Sequence, residues 1–394
     1  MLQHVPAFAG DPILSLNEAF QQDARPNKIN LSIGVYADES LRLPAMAAVL
    51  EAEARLTARR DARPYLPMEG DAAFREAVRA LVFGAAHPAV TQGRVATVQT
   101  IGSSGALKLG AEFIRQWLPG SEVWVSDPTW DNHRAIFESA GLAVHAYPYH
   151  DPARGVAFDA MLDTLRSLPA RSVVLLHGCC HNPTGEDLDA AQWGALTALC
   201  AQRGLIPFVD LAYQGFGEGV DADAGPVRAL AEAGITGFVA NSLSKNMGLY
   251  GERCGALSVV CGDAGQAEHV LGQLKLAVRR SYSSPPLHAG RVAAQVLGAP
   301  ELRAAWAQEL DGMRQRILSM RRALHAALVQ RRPAQDWSYL LRQRGMFSYT
   351  GLSAAQVDRL REEHAIYLVR SGRICLAGLN ATCIGTVAQA IAGL

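Results

Sequence analysis

The sequence predicts an α/β chain in which a mostly parallel central sheet carries helices on both faces and a smaller α/β domain is attached. Three observations predict it. Between residues 95 and 261, apolar runs of strand length alternate with helical patterns, as in parallel sheets joined by crossover helices. Residues suited to ligand chemistry (Ser104, Trp130, Asn182, Asp210 and Lys245) fall at the ends of those runs, where open parallel sheets gather their ligand groups. The length, 394 residues, exceeds the size at which a single core stops growing, so two domains are expected.

Composition is that of an ordinary globular protein, with 49% hydrophobic and 19% charged residues. Basic and acidic residues balance at 37 each, so nothing electrostatic favours nucleic acid or an anionic membrane as a partner. No apolar run approaches the ~20 residues of a membrane span. The opening MLQHVPAFAGDP lacks a basic segment followed by an apolar one, and no signal peptide is expected. The seven cysteines are odd in number and scattered, and the adjacent Cys179 and Cys180 are poorly placed to bridge each other. A reducing, cytoplasmic setting is expected.

Residues 1–12 read as an extended arm, because Pro6 and Pro12 disfavour a helix. The run 31–36, LSIGVY, is broken by Gly34, which either bends a strand or lets a ligand approach the backbone. The strand at Ile33 is assigned to the smaller domain. Residues 44–60 read as a helix with Pro44 at a tolerated first position. Tyr65 lies in the proline-punctuated loop RPYLPMEG, and Asp71 caps a helix reaching Phe83. A strand at 95–100 and a helix at 102–117 join through TIGSSGALKLG. Glycine and serine at a helix start offer N–H groups and hydroxyls to an anion. A plain turn with a serine cap explains them equally well, and the P-loop spacing is absent.

The strand at 123–126 ends in DPTWDNH, which places Trp130 to stack on a flat ring. Helix, strand and helix follow to Leu168. The strand at 172–176 runs into HGCCHNPTG, residues 177–185. Its crowded His and Cys spacing fits no usual zinc pattern, so no metal is expected, and Asn182-Pro183 reads as a shaped turn. A helix at 189–203 leads to a strand at 206–210. Asp210 closes that strand, either as a helix cap or as the partner of a buried cation.

Apolar runs at 235–240 and 256–261 bracket NSLSKNMGLYGERCG, residues 241–255. Its one lysine, Lys245, is flanked by Ser242, Ser244, Asn246 and Arg253. Hydroxyls, a lysine and an arginine suit a phosphate-bearing aldehyde cofactor. An amine condenses with an aldehyde when it is deprotonated often enough, and burial and nearby cations favour that form. A solvated lysine on a surface loop is the competing reading. Further on, a helix at about 266–280 leads into RRSYSSPP, and a long helical region spans 301–332. GMFSYTG, a helix at 353–364 and IYLVRSGRICLAGLN then break the alternation and are assigned to the smaller domain.

Taken together these segments resemble the fold-type I pyridoxal-phosphate aminotransferases, in the aspartate/aromatic branch. The resemblance covers nearly the whole chain. It is carried by IGVY at 33–36, YLPMEG at 65–70, SDPTWDNH at 126–133, HGCCHNPTG at 177–185, DLAYQGFG at 210–217, SLSKNMGLYGERCG at 242–255, RRSYSSPP at 279–286, GMFSYTGLS at 345–353 and SGRICLAGLN at 371–380. YLPMEG, SYSSPP and GMFSYTGLSAAQVDRLREEH look most like the bacterial tyrosine (aromatic) members.

The resemblance implies transamination of aromatic L-amino acids (tyrosine, phenylalanine) with 2-oxoglutarate, and of aspartate and glutamate too, by a ping-pong mechanism. A strict aspartate aminotransferase is the alternative. The implied cofactor is pyridoxal 5'-phosphate. Lys245 would hold its aldehyde as a Schiff base and then shuttle the substrate α-proton. Asp210, supported by His133, would pair with the pyridinium nitrogen. Trp130 would stack on the ring, and Asn182 and Tyr213 would bond its 3-oxygen. Gly102, Ser103, Ser104, Ser242, Ser244 and Arg253 would hold the phosphate, with Tyr65 arriving from a second subunit. Arg373 would bind the α-carboxylate in a bidentate fork, assisted by Gly34 and Asn182. Arg279, from the other subunit, would take a distal carboxylate and swing aside for an aromatic substrate. This crossing implies a homodimer with shared active sites. The implied parts are an arm at 1–12, small-domain pieces at 13–43 and 313–394, and a large cofactor domain at 44–312. Three positions depart from the family pattern. Ser103 stands where glycine is frequent, and His364 replaces a usual aromatic. Arg370 replaces a small residue, and either adds affinity for acidic groups or faces solvent.

Overall fold

The computed structural model describes residues 1–8, 10–11 and 13–394; Pro12, read above as disfavouring a helix, lies outside them. The chain forms two compact units. One comprises Pro44–Asn182 and Glu186–Gln315, the other Met1–Leu43, Pro183–Gly185 and Arg316–Leu394.

The first unit is built on a seven-stranded sheet. Its strands lie in the order Val95–Ile101, Cys254–Val260, Gly237–Ser242, Ile206–Leu211, Val173–His177, Val123–Asp127 and Val144–Pro148. The Cys254–Val260 strand is antiparallel to both of its neighbours, and the remaining pairs are parallel. Strands covered on both faces read as continuous apolar runs rather than alternating ones, which is why they are plain in the sequence. The helix Gly102–Trp117 lays Leu107, Phe113 and Ile114 in one core with Val98, Phe208, Phe238 and Leu257. The parallel arrangement brings the carboxyl ends of five strands, at Ile101, Asp127, His177, Leu211 and Ser242, to one edge of the sheet.

The second unit holds two small sheets. Ile29–Asn30 pairs in parallel with Ile366–Tyr367, and Phe347–Tyr349 pairs antiparallel with Arg373–Cys375. Helix Ala354–His364 starts with a capping box between Ser353 and Gln356. Arg370 has a side chain 72% exposed and paired with Asp358 at 2.8 Å. No helix among the described residues is long and apolar enough to cross a membrane, and all seven cysteines are free and buried.

Two expectations need correction. Ile33 is not in a strand. The strand is Ile29–Asn30, and Asn30 Oδ1 then accepts from Ser32 N (3.1 Å) and Ser32 Oγ (2.7 Å), a local turn that ends the ladder before Ile33. The helix expected from Pro44 begins at Ala47. Its start is set from a distance: the Glu309 carboxylate, on helix Pro300–Arg331, accepts from Ala47 N (2.7 Å) and Ala48 N (3.0 Å). Helices Leu14–Gln22, His288–Gly298 and Ala381–Ala392 have no counterpart in the sequence reading.

Glu309→Ala removes both acceptors from the Ala47–Arg59 helix, and a lost cap costs about 1 kcal/mol. The urea unfolding midpoint should fall accordingly; an unchanged midpoint would show that water replaces the carboxylate without loss.

Candidate active site

Asp210 lies at the sheet edge, 5% exposed, where burial by itself raises a carboxyl pKa. His133 overrides this, with Nε2 3.0 Å from Asp210 Oδ2. That hydrogen bond, with the electrostatics of His133, His177 and Lys245, holds the carboxyl below its ordinary range. His133 is fixed in turn. Its Nδ1 lies 2.8 Å from Thr129 Oγ1, and Trp130 meets its ring edge-on at 5.2 Å between centroids. With Nε2–H donating to the carboxylate, Nδ1 is left to accept from the Thr129 hydroxyl.

The second carboxylate oxygen, Asp210 Oδ1, is buried and has no hydrogen-bond partner. A buried anion satisfied on one side and open on the other is costly unless a ligand brings the missing donor. A protonated ring nitrogen is such a donor. Lys245 follows the neighbouring strand Gly237–Ser242, and its Nζ lies 5.1 Å from the centroid of the Tyr213 ring. Asn182 and Tyr213 are both buried.

A second donor cluster forms where helix Gly102–Trp117 begins. No side chain caps this helix, so the serine-cap reading fails and the helix start is left without a side-chain acceptor. Ser103 is buried and Ser104 half-buried in its first turn. Gly102 adopts φ +72°, and a Cβ there would lie 2.6 Å from Arg253 Nη2. A Cβ on Gly255 would lie 2.7 Å from the Gly102 carbonyl carbon. Glycine at both positions lets the guanidinium close on the helix start. Arg253 Nη1 donates to Ser244 Oγ (3.2 Å) and Tyr250 O (2.9 Å), and Ser244 N donates to Ser242 Oγ (3.2 Å). An uncapped helix start, a guanidinium and two seryl hydroxyls are the donor set of a phosphate seat. The residues present therefore fit a cofactor with both a ring nitrogen and a phosphate.

The sequence reading missed three supports. Thr129 orients His133. Asp187 shapes the HGCCHN turn by accepting from Cys180 N (2.7 Å) and His181 N (2.8 Å). His177 lies beside Asp210 in strand register, so its position at a strand end was a usable signal. Its ring is 5.2 Å from that of His133 and 4.1 Å from that of His181, and both its nitrogens are shielded and unpartnered. Burial, then the neighbouring His133, pushes the His177 pKa down to about 3. Among the described residues, no group of three or more His, Cys, Asp or Glu is disposed to hold a metal ion.

Four further expected residues have these surroundings. Tyr65 is 96% exposed. Arg279 is exposed at the end of helix Ala264–Ser281 and donates to Ser283 Oγ at 2.5 Å. Gly34 and Arg373 belong to the second unit, where buried Arg373 donates to Ser32 O at 2.7 Å.

A model of the family "Aminotransferase class I and II" matches residues 26–391. The chain is 56% identical to the aromatic-amino-acid aminotransferase of Escherichia coli, covering the whole of both chains. It is 49% identical to an aspartate aminotransferase of Pseudomonas aeruginosa, over 97% of this chain and 96% of that one. The crystal structure of the Burkholderia pseudomallei aromatic-amino-acid aminotransferase, covalently bound to pyridoxal phosphate, superposes with a TM-score of 0.97 at 49% identity. It covers 100% of this chain and 99% of that one.

An unfolded histidine takes up its proton near pH 6.5, and folded His177 only near 3. The stability this group contributes is therefore complete above pH 6.5 and lost as pH falls toward 3, at up to ~1.4 kcal/mol per pH unit. His177→Gln should flatten the fall in unfolding free energy between about pH 6 and pH 4. An unchanged slope would mean that His177 protonates in the folded chain as easily as in the unfolded one.

Proposed function

The chain belongs to the class I and II aminotransferases, and we propose that it moves amino groups between aromatic L-amino acids, such as tyrosine and phenylalanine, and 2-oxoglutarate, accepting aspartate as well. Its cofactor is pyridoxal 5'-phosphate. The observation that carries this reading is the one-sided carboxylate of Asp210, one βα unit before a lysine.

When bound, pyridoxal phosphate supplies an aldehyde carbon that receives the amino group and a ring that receives the electron pair released at the substrate α-carbon. The chain does the rest. Asp210 Oδ1 accepts from the ring N–H and keeps positive charge on it, while His133 holds Oδ2 and stops the carboxylate turning. Lys245 Nζ would serve as the base that moves the substrate α-proton to the aldehyde-derived carbon, two atoms away across the nitrogen. The uncapped start of helix Gly102–Trp117, with Ser103, Ser104, Ser242, Ser244 and Arg253, binds the phosphate. Asn182 and Tyr213 would donate to the 3-oxygen, and Trp130 would stack on the ring.

Arg373 takes the substrate α-carboxylate in a bidentate fork, a role in which the family resemblance also gives Gly34 and Asn182 a part. Tyr65 and Arg279 act on the site of a second copy, which makes the working form a homodimer with two shared sites. Their exposure in the single chain supports this assignment. Arg279 pairs with the distal carboxylate of aspartate or 2-oxoglutarate and turns aside for tyrosine. Residues 44–312 form the cofactor domain and residues 13–43 and 313–394 the small domain. Seven buried free thiols support a cytoplasmic location. A strict aspartate enzyme is the competing reading, supported by the 49% identical relative.

Protein loaded with pyridoxal phosphate should show a visible absorption band whose intensity depends on pH and which bleaches on adding either L-tyrosine or L-aspartate. Bleaching with aspartate alone would replace the aromatic assignment by the strict aspartate one. Lys245→Ala should reduce turnover of both substrates to background, and near-normal rates in that variant would overturn the mechanism.

A further inference from the structure

We propose that Phe347 is the positioning residue that sets the plane of the Arg373 guanidinium, and that Gly34 is glycine because the Phe347 ring needs its space. The inference rests on the reading of Arg373 as the α-carboxylate fork. Phe347 and Arg373 lie on adjacent antiparallel strands, Phe347 opposite Cys375 and Tyr349 opposite Arg373. Phe347 and Arg373 are thus diagonal neighbours on one face. The guanidinium carbon lies over the Phe347 ring, 4.2 Å from its centroid. Arg373 Nη2 donates to Ser32 O at 2.7 Å, which fixes one edge of the fork. A flat ring beneath and a carbonyl at one edge leave the guanidinium a single plane. Bidentate carboxylate recognition depends on that plane.

The ring itself has nowhere to go. A Cβ on Gly34 would sit 2.8 Å from Phe347 Cζ, closer than side chains pack. Behind the ring, the strand is held by Arg321, which is 1% exposed. Arg321 donates to the Phe347 carbonyl, to Gly345 O (2.8 Å), Arg344 O (3.1 Å), Leu340 O (3.2 Å) and the Ser348 hydroxyl (2.5 Å). A buried guanidinium spreading its donors over four carbonyls and a hydroxyl fixes the backbone from which the ring projects.

The test is steady-state kinetics of Phe347→Leu, Gly34→Ala, their double variant and Arg373→Ala in the cofactor-loaded enzyme, with L-tyrosine and L-aspartate. F347L should raise KM roughly ten-fold for both substrates, with kcat changed far less, because a tilted fork weakens ground-state carboxylate binding. G34A should do the same by displacing the ring. In the double variant the smaller side chain makes room for the methyl, so its KM should match that of F347L alone. The cofactor absorbance profile with pH should not move in any of them. KM values for F347L within two-fold of wild type, or effects that multiply in the double variant, would overturn the proposal. If R373A left KM unchanged, the carboxylate-fork reading beneath it would fall instead.

Discussion

A carboxylate that is satisfied on one oxygen and buried on both is the constraint around which this structure is arranged. Asp210 Oδ2 has His133, and Oδ1 has nothing from the chain. Taking an anion out of water costs several kcal/mol unless its lone pairs are met. The fold carries that cost by holding the acceptor rigidly in place for a cationic donor. Rigidity comes from layers. The central parallel strand fixes the Asp210 backbone, the helix after Trp130 fixes His133, and Thr129 fixes the far side of the His133 ring. His177, beside His133, is kept neutral by burial.

The same sheet edge supplies the rest of the chemistry because parallel strands end together. Lys245, Trp130, Asp210 and the uncapped helix start lie at or just past the ends of different strands, far apart in sequence. Two glycines, Gly102 and Gly255, then permit the close approach that brings Arg253 onto the helix start. Positive charge gathers at the start of helix Gly102–Trp117, through Arg253, and negative charge at Asp210.

Much of this was visible in the sequence, for physical reasons that also explain what was not. Doubly covered strands are largely apolar, so the runs ending at Ile101, Leu211 and Ser242 were found within a residue or two. Asp71 and Ser353 were found as helix starts because their caps are local, bonding three residues onward. The Ala47 helix start was misplaced because its acceptor, Glu309, lies on another helix. Ile33 was misplaced because apolar alternation outweighed the Asn30–Ser32 turn that ends the strand. Thr129 and Asp187 were missed because orienting residues carry no chemistry of their own and stand out only when the partner they hold is seen.

The most direct test of the account is the turnover of Asp210→Asn with L-tyrosine, the cofactor being retained by Lys245 and the phosphate seat. Breaking a buried charge pair of this kind costs about 3–5 kcal/mol, so kcat should fall roughly 10²- to 10⁴-fold while the cofactor remains bound. A variant that binds the cofactor and turns over within a few-fold of wild type would contradict the claim that the open oxygen of Asp210 is what the fold is built to present.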